Sequence, residues 1–271
     1  MNNLEKRMVD VLKDLKENHH VVGIKAEFES EGTRLEEALR LKEVITKAGL
    51  DLTIKIGGCE AIKDLYDARA IGVNRIVGPM IESAYALKKF LLATKMAFPA
   101  DELAEVSFLA NVETIQGYKN FAEMLQLPEI DQLDGVVLGR VDMTGSMGLT
   151  REDVNSQVIF DIAQDIFAQA KKHSLECVMG GGVSAETIPF IKRLPEGTMN
   201  CYETRKVIFE CPGALDDKAD KGILKAVGFE LMWLKNKRDF YGMIFKEDYK
   251  RIEMLQSRYD RLIKEAGGSY E

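Results

Sequence analysis

The residues best suited to chemistry stand on alternate positions of short apolar segments. In Val21–Glu29 (VVGIKAEFE), Ile24, Ala26 and Phe28 share one face, while Lys25, Glu27 and Glu29 share the other. The split recurs: Ile54 and Ile56 oppose Lys55, Ala110 and Val112 oppose Asn111 and Glu113, and Val141 opposes Arg140 and Asp142. A parallel strand buried on both faces is near-continuously apolar, and these strands instead become polar toward their C-terminal ends. Inward charges cost several kcal/mol each unless paired or bound to a cation. Either they line a ligand site, or they form a salt-bridge lattice inside a barrel. The glycine-rich loops beside several of them favour the first.

Glu113 and Asp142 end successive strands, and neighbouring strands lie about 4.8 Å apart, so the two carboxylates can converge. With waters and a substrate oxygen they suit an octahedral hard cation such as Mg²⁺ or Mn²⁺; spacing alone favours charge pairing with Arg140 or Lys55. Lys55, inward beside Lys25, is also placed for Schiff-base chemistry with a ketone, as in a class I aldolase. The Gly57-Gly58 and Gly180-Gly-Gly182 turns each lead into a helix, the second with Ser184 as its N-cap and Thr187 at N3. Such turns either bind phosphate through their amides or serve only as tight turns. Thr204-Arg-Lys206 offers a contact for an anionic group or is a solvated basic end.

The elements needed to position these residues are present. Strand-like runs at Val21–Glu29, Leu52–Gly57, Arg75–Met80, Val106–Glu113, Gly135–Asp142, Glu176–Gly180 and Asn200–Phe209 alternate with helical patterns near 34–48, 60–70, 83–97, 117–126, 154–173 and 185–193. Strand–helix repetition predicts a parallel sheet. Seven strands can be placed and an eighth, which would close a barrel, cannot. From about Ala214 the pattern is helical to near Glu265. With 271 residues and no low-complexity linker, the chain fits a single domain, 1–271, with an extension over about 214–271 that packs on the barrel or on a neighbouring subunit.

Composition excludes several function classes. Hydrophobic residues make up 46% and charged residues 30%, so neither disorder nor a collagen-like architecture is expected. The net charge of −7 argues against nucleic acid and anionic membrane surfaces as partners. No apolar run reaches the roughly 20 residues of a membrane span, and Met1–Arg7 opens a charged amphipathic helix with no signal-peptide core. Cys59, Cys177, Cys201 and Cys211 match no zinc or CxxC spacing and read as reduced structural thiols of a cytoplasmic protein.

Asn111-Val-Glu-Thr-Ile-Gln-Gly117 resembles the glutamate-bearing strand of the HpcH/HpaI aldolase/citrate lyase family. Gly139-Arg-Val-Asp-Met-Thr-Gly-Ser-Met-Gly148 resembles its second motif, with Asp134-Gly-Val-Val-Leu as the strand ahead of it. Gly78-Pro-Met-Ile-Glu-Ser83 is similar to the family's third-strand end. The resemblance spans roughly Gly23 to Phe209. It implies a (β/α)8 TIM barrel of the phosphoenolpyruvate/pyruvate type with a C-terminal helical extension. It also implies a divalent metal, Mg²⁺ or alternatively Mn²⁺, on Glu113 and Asp142, and a 2-oxoacid or acyl-CoA whose enolate is stabilised during carbon–carbon cleavage or formation.

On that resemblance the expected catalytic set is Lys55, Glu27, Glu29 and Arg140. Lys25, Gly139, Asp142 and Ser146 are expected to bind substrate, the amides around Gly139–Asp142 holding its carboxylate. Two departures stand out. Lys55 occupies the place of an oxyanion-contacting arginine, keeping the charge and losing the fork. The aldolase branch's histidine at the end of the first strand is absent: His19 and His20 precede that strand and His173 closes a helix. Glu27 or Glu29 is then the expected general base, with barrel burial raising its pKa. The reading is a metal-dependent carbon–carbon lyase working as a homo-oligomer. Its alternatives are a Schiff-base aldolase using Lys55 and a catalytically inactive metabolite-binding barrel.

Overall fold

The computed structural model describes residues 1–268. Eight strands close into a barrel in sequence order: β1 (Val21–Glu27), β2 (Asp51–Lys55), β3 (Arg75–Gly78), β4 (Ser107–Val112), β5 (Gly135–Gly139), β6 (Glu176–Gly180), β7 (Cys201–Glu203) and β8 (Val207–Glu210). Helices surround it: α1 (Asn3–His19), α2 (Leu35–Ala48), α3 (Ile62–Ile71), α4 (Ala84–Ala97), the short α5 (Ala100–Leu103), α6 (Ile115–Met124), α7 (Arg140–Ser146), α8 (Gln157–Lys172) and α9 (Thr187–Lys192); α10 (Ala219–Glu265) follows β8 in the chain. This is a TIM barrel with a C-terminal helix, as expected.

Local signals set the helix starts. Asn2 and Glu5 form a reciprocal capping box that opens α1, whose Met8, Leu12 and Leu15 are fully buried. Ser83 Oγ accepts from the Ala86 amide to open α4, and Thr114 Oγ1 accepts from the Gly117 amide to open α6.

Side-chain alternation divides the barrel interior into layers. Val77, Leu109, Val137, Val178, Cys201 and Ile208 pack together as an apolar plug. Two residues further along the same strands, and so on the same inward face, stand Asn111, Gly139, Gly180 and Glu203. The polar layer therefore caps the plug at the C-terminal ends of the strands, the face that carries active sites in this architecture. Below the plug, Arg75 and Glu176 pair at 3.0 Å.

Two segments differ from the sequence expectation. Asn200–Phe209 is not one strand. Cys201–Glu203 and Val207–Glu210 form an antiparallel hairpin, and β8 also pairs antiparallel with β1, setting Ile24 against Val207. The polar run Glu203-Thr-Arg-Lys206 supplies the turn: the Thr204 amide donates to the Val207 carbonyl and the Val207 amide to Thr204 Oγ1. The missing eighth strand lay inside the seventh. Gly135–Asp142 is likewise not one strand, since the backbone turns helical at Arg140.

The chain divides into two compact units, Met1–Glu230 and a second beginning at Leu231. In the first, β8 descends to the N-terminal face, where Gly213 and Gly222 lie against His20 and His19. The first turns of α10 climb from there, and Val227 and Glu230 reach the rim of the polar layer. The extension expected from Ala214 thus begins as part of the barrel unit. In the second unit α10 continues to Glu265 and ends at Gly267 (φ +74), with the Gly268 amide donating to the Ile263 carbonyl. The four cysteines are free. Among the described residues no helix is long and apolar enough to cross a membrane.

Candidate active site

A cavity of about 480 Å³ opens at the C-terminal end of the barrel, and Lys25, Glu27, Glu29, Lys55, Glu113, Gly139 and Asp142 all line it. Strand alternation brings Lys25, Glu27, Lys55 and Gly139 together, while Glu29 comes from the loop after β1, Glu113 from just past β4 and Asp142 from α7. Glu113, 2% exposed, is the most enclosed carboxylate among them. Its Oε1 accepts from the Met80 amide at 3.0 Å and its Oε2 from Asn111 Nδ2 at 2.5 Å, with Lys55 Nζ at 3.4 Å. Burial pushes the Glu113 carboxyl above the usual carboxylate range; Lys55 and the Met80 amide oppose the shift, and the charge of Asp142 adds to it. Gly139 faces Glu113 so closely that a Cβ there would stand 2.7 Å from both Glu113 Cβ and Oε2.

Lys55 Nζ sits between carboxylates, 2.8 Å from Glu29 and 3.4 Å from Glu113. Burial alone would lower its pKa, but these neighbours raise it above the ordinary lysine value. That is the opposite of the depressed pKa a Schiff-base lysine needs. Lys25 Nζ pairs with Glu203 at 2.5 Å and Glu27 at 3.3 Å, and the same balance holds it above its ordinary value.

The expectation that burial raises Glu27 does not hold. Burial does act in that direction, but Lys25 and the Ser30 hydroxyl outweigh it and hold the carboxyl at about 2. Glu27 is therefore an ionised partner of Lys25 and a weak base. Glu29, reached through the loop after β1, is partnered only by Lys55 among the contacts described.

Arg140 and Ser146 are not brought into this group. Arg140, fully buried, sends its guanidinium away from the cavity. It donates to the carbonyls of Gly180 (3.1 Å), Gly181 (2.9 Å) and Val154 (3.2 Å) and to Asn155 Oδ1 (2.6 Å), with the Phe190 ring 5.3 Å away. Burial lowers its pKa to about 10. The strand phase that points Val137 and Gly139 inward already sets residue 140 on the outer face, and the helix start then carries Asp142, about 200° further round, back to the cavity. Ser146 Oγ accepts from the Ile115 amide and donates to the Met143 carbonyl, so it ties α7 to the start of α6.

Sequence reasoning did not single out Glu203, Ser30, Arg151 or Glu230, which also line the cavity. Glu203 was hidden by reading its hairpin as one strand; the four-residue polar run from Glu203 to Lys206 was the available signal. Lys206 and Arg205 both pair with Glu31 on the loop after β1, so this basic end is tied down within the protein, two cations sharing one carboxylate. Ser184 is not a helix cap: its amide donates to Thr187 Oγ1, and α9 begins at Thr187. Gly181 adopts φ +74, and its position lies against the amides of Arg140 and Val141, where a Cβ would meet those nitrogens at 2.5 and 2.6 Å. The glycine turn thus packs on the start of α7.

Two observations bear on a metal. Asn111 Oδ1 is buried and accepts no hydrogen bond, an orphan acceptor that a cation's water or a substrate donor would satisfy. The cavity lining carries six carboxylates (Glu27, Glu29, Glu113, Asp142, Glu203, Glu230) against four cations (Lys25, Lys55, Arg151, Arg205). Among the described residues no three His, Cys, Asp or Glu side chains are grouped to hold a metal by themselves. The donor set fits a hard cation that keeps waters and takes substrate oxygens.

A closed barrel with charged groups converging at its carboxyl mouth is the architecture of TIM-barrel enzymes. The chain belongs to the HpcH/HpaI aldolase/citrate lyase family, whose model matches residues 34–184, more than half of the sequence. Its members are carbon–carbon lyases and generally depend on a divalent metal. No curated protein matches the chain. Among solved structures, the fold is similar to an HpcH/HpaI aldolase from Desulfitobacterium hafniense DCB-2 (12% identity, TM-score 0.58, covering 83% of this chain and 88% of that one). It is also similar to an HpcH/HpaI aldolase/citrate lyase family protein from Burkholderia cenocepacia J2315 (14%, 0.55, 72% and 91%), and to the citrate synthase SbnG (15%, 0.54, 86% and 90%).

Proposed function

We propose that this protein is a metal-dependent carbon–carbon lyase or aldolase acting on a 2-oxoacid, or a related acyl-CoA, through its enolate. The observation that carries the reading is the surplus of two carboxylates in the cavity, with Glu113 and Asp142 on its wall. Mg²⁺, or Mn²⁺ in its place, would be held by these two side chains, and when bound it would polarise the substrate carbonyl.

The chain's own residues would do the rest. Lys55, fixed between Glu29 and Glu113, adds positive charge beside the oxygen on which negative charge develops. The Asp142 amide, in the first turn of α7 beyond the two nitrogens that Gly181 covers, has no acceptor within its helix and would take the substrate carboxylate. Glu29 is the better candidate for the base that removes or returns the proton at the substrate carbon, since Glu27 is held ionised by Lys25. Met80 and Asn111 orient Glu113 by hydrogen bonds to both oxygens.

The test is methyl-proton exchange of pyruvate in D₂O with and without Mg²⁺, run beside calorimetric titration of Mg²⁺. The Glu113→Gln, Asp142→Asn double variant should lose both exchange and cation binding. Unchanged cation affinity in that variant would remove the metal assignment, and metal-independent exchange in the wild type would remove the mechanism.

A further inference from the structure

The second unit, taken by itself, carries its own pattern. From Leu231 to Leu262, stepping alternately by three and four residues, α10 presents ten positions on one stripe. Eight of them are Leu, Ile, Phe or Tyr, and the two exceptions are Arg238 and Asp248. These apolar side chains face solvent: Leu231 is 51% exposed, Phe245 69% and Ile252 62%. A seam with an average spacing of 3.5 residues, sustained over more than four heptads, is what a helix uses to pack along another helix.

The two charges decide which helix. In a parallel, in-register pair of this same chain, Arg238 would face Arg238 and Asp248 would face Asp248. In an antiparallel pair with its two-fold axis at Met243, Arg238 of each copy falls opposite Asp248 of the other, twice over. The same register sets Leu231 on Leu255, Leu234 on Ile252 and Tyr241 on Phe245, again twice each. Every interruption of the apolar seam is thus met by its complement, with no residue left over in these layers. Gly242 and Ile244 each meet their own copy beside the axis. Lys237 falls beside Arg251, a like-charge flank, although Arg251 is already paired with Glu247 in its own helix at 3.3 Å.

We propose that α10 from Leu231 onward forms an antiparallel coiled coil with a second copy of this chain, in the register that pairs Arg238 with Asp248. The interface is isologous and closes at two chains. It is independent of the chemistry in the barrel, so its failure would leave the catalytic reading untouched.

The test uses the full chain in sedimentation equilibrium, with circular dichroism to verify folding. The wild type should associate in pairs or multiples of pairs. Asp248→Arg, which sets arginine against Arg238 in two layers, should weaken the pairing about 100-fold or more, and so should Arg238→Asp. Combining them as Arg238→Asp, Asp248→Arg should restore it, because the charges are exchanged and remain complementary. Ile244→Cys should cross-link to its own copy under mild oxidation where the wild type does not; in a parallel pair the two thiols would not meet. A monomeric wild type, an Asp248→Arg variant with unchanged assembly, a charge-exchanged variant that stays dissociated, or an Ile244→Cys protein that fails to cross-link would each overturn the proposal.

Discussion

Glu113 occupies the space that any side chain at Gly139 would need. A Cβ there would lie 2.7 Å from Glu113 Cβ, a contact with the root of a side chain that two hydrogen bonds and an ammonium already hold in place. The glycine on β5 and the carboxylate after β4 are therefore one unit.

Gly139→Ala should displace Glu113 from its Met80 and Asn111 donors. The expected cost is about 1–3 kcal/mol of stability, as for other overpacked sites, together with a loss of Mg²⁺ affinity. Thermal unfolding and calorimetry read the two effects. Wild-type cation affinity in Gly139→Ala would show that Glu113 can move without consequence.

Lys55→Arg should keep substantial methyl-proton exchange, because the charge between Glu29 and Glu113 is retained. Lys55→Met should lose about 10²–10³ in rate, the usual effect of removing one oxyanion partner. If Lys55→Arg were as inactive as Lys55→Met while cation binding stayed intact, the electrostatic role would be wrong. Trapping of a pyruvate adduct by borohydride would point to the covalent one.

Arg140→Met should act on folding. It removes the donors to the carbonyls of Gly180, Gly181 and Val154 and leaves those acceptors buried, costing about 3 kcal/mol or more. Urea unfolding at neutral pH measures this. A drop in turnover with unchanged stability would instead place the guanidinium in the chemistry.

Glu27 predicts a pH dependence. Its carboxyl is held at about 2 against an ordinary 4.5, so the folded state keeps it ionised where the unfolded chain binds a proton. The pairing with Lys25 and Ser30 therefore contributes its full stability above about pH 4.5, on the order of 3 kcal/mol. That contribution fades as the pH falls toward 2. Glu27→Gln should be less stable than the wild type at pH 6, and the gap should narrow steadily on acidification to pH 3. A gap independent of pH over that range would mean that the pair does not stabilise the fold.

The inward polar layer was legible because alternation is a property of the strand itself: Lys25, Lys55 and Glu113 had to share the interior once their apolar neighbours met the helices. What the sequence obscured were the places where the backbone changes period. After Gly139, whose inward phase already sets Arg140 outward, the change from strand to helix turned Asp142 inward, so the two residues that strand alternation put on one face were separated. At Thr204 a two-residue turn inside an apolar run folded one apparent strand into two, concealing both the closure of the barrel and Glu203. Pairings such as Lys25 with Glu203 join the first strand to the last two, and no local pattern encodes them.

The reversed direction of β8 also bears on how the barrel assembles. β7 and β8 zip together across two turn residues, a local event, whereas β8 meets β1 only after nearly the whole barrel sequence has been gathered in between. Closing so long a loop carries a larger entropic penalty than any other strand pairing in the sheet. The hairpin is therefore expected to form first and to dock last as a latch, with Lys25–Glu203 and Lys206–Glu31 fastening it across the first strand and its loop. Pulse-labelled hydrogen exchange during refolding would find the amides between β1 and β8, next to the cavity itself, protected after those between β7 and β8.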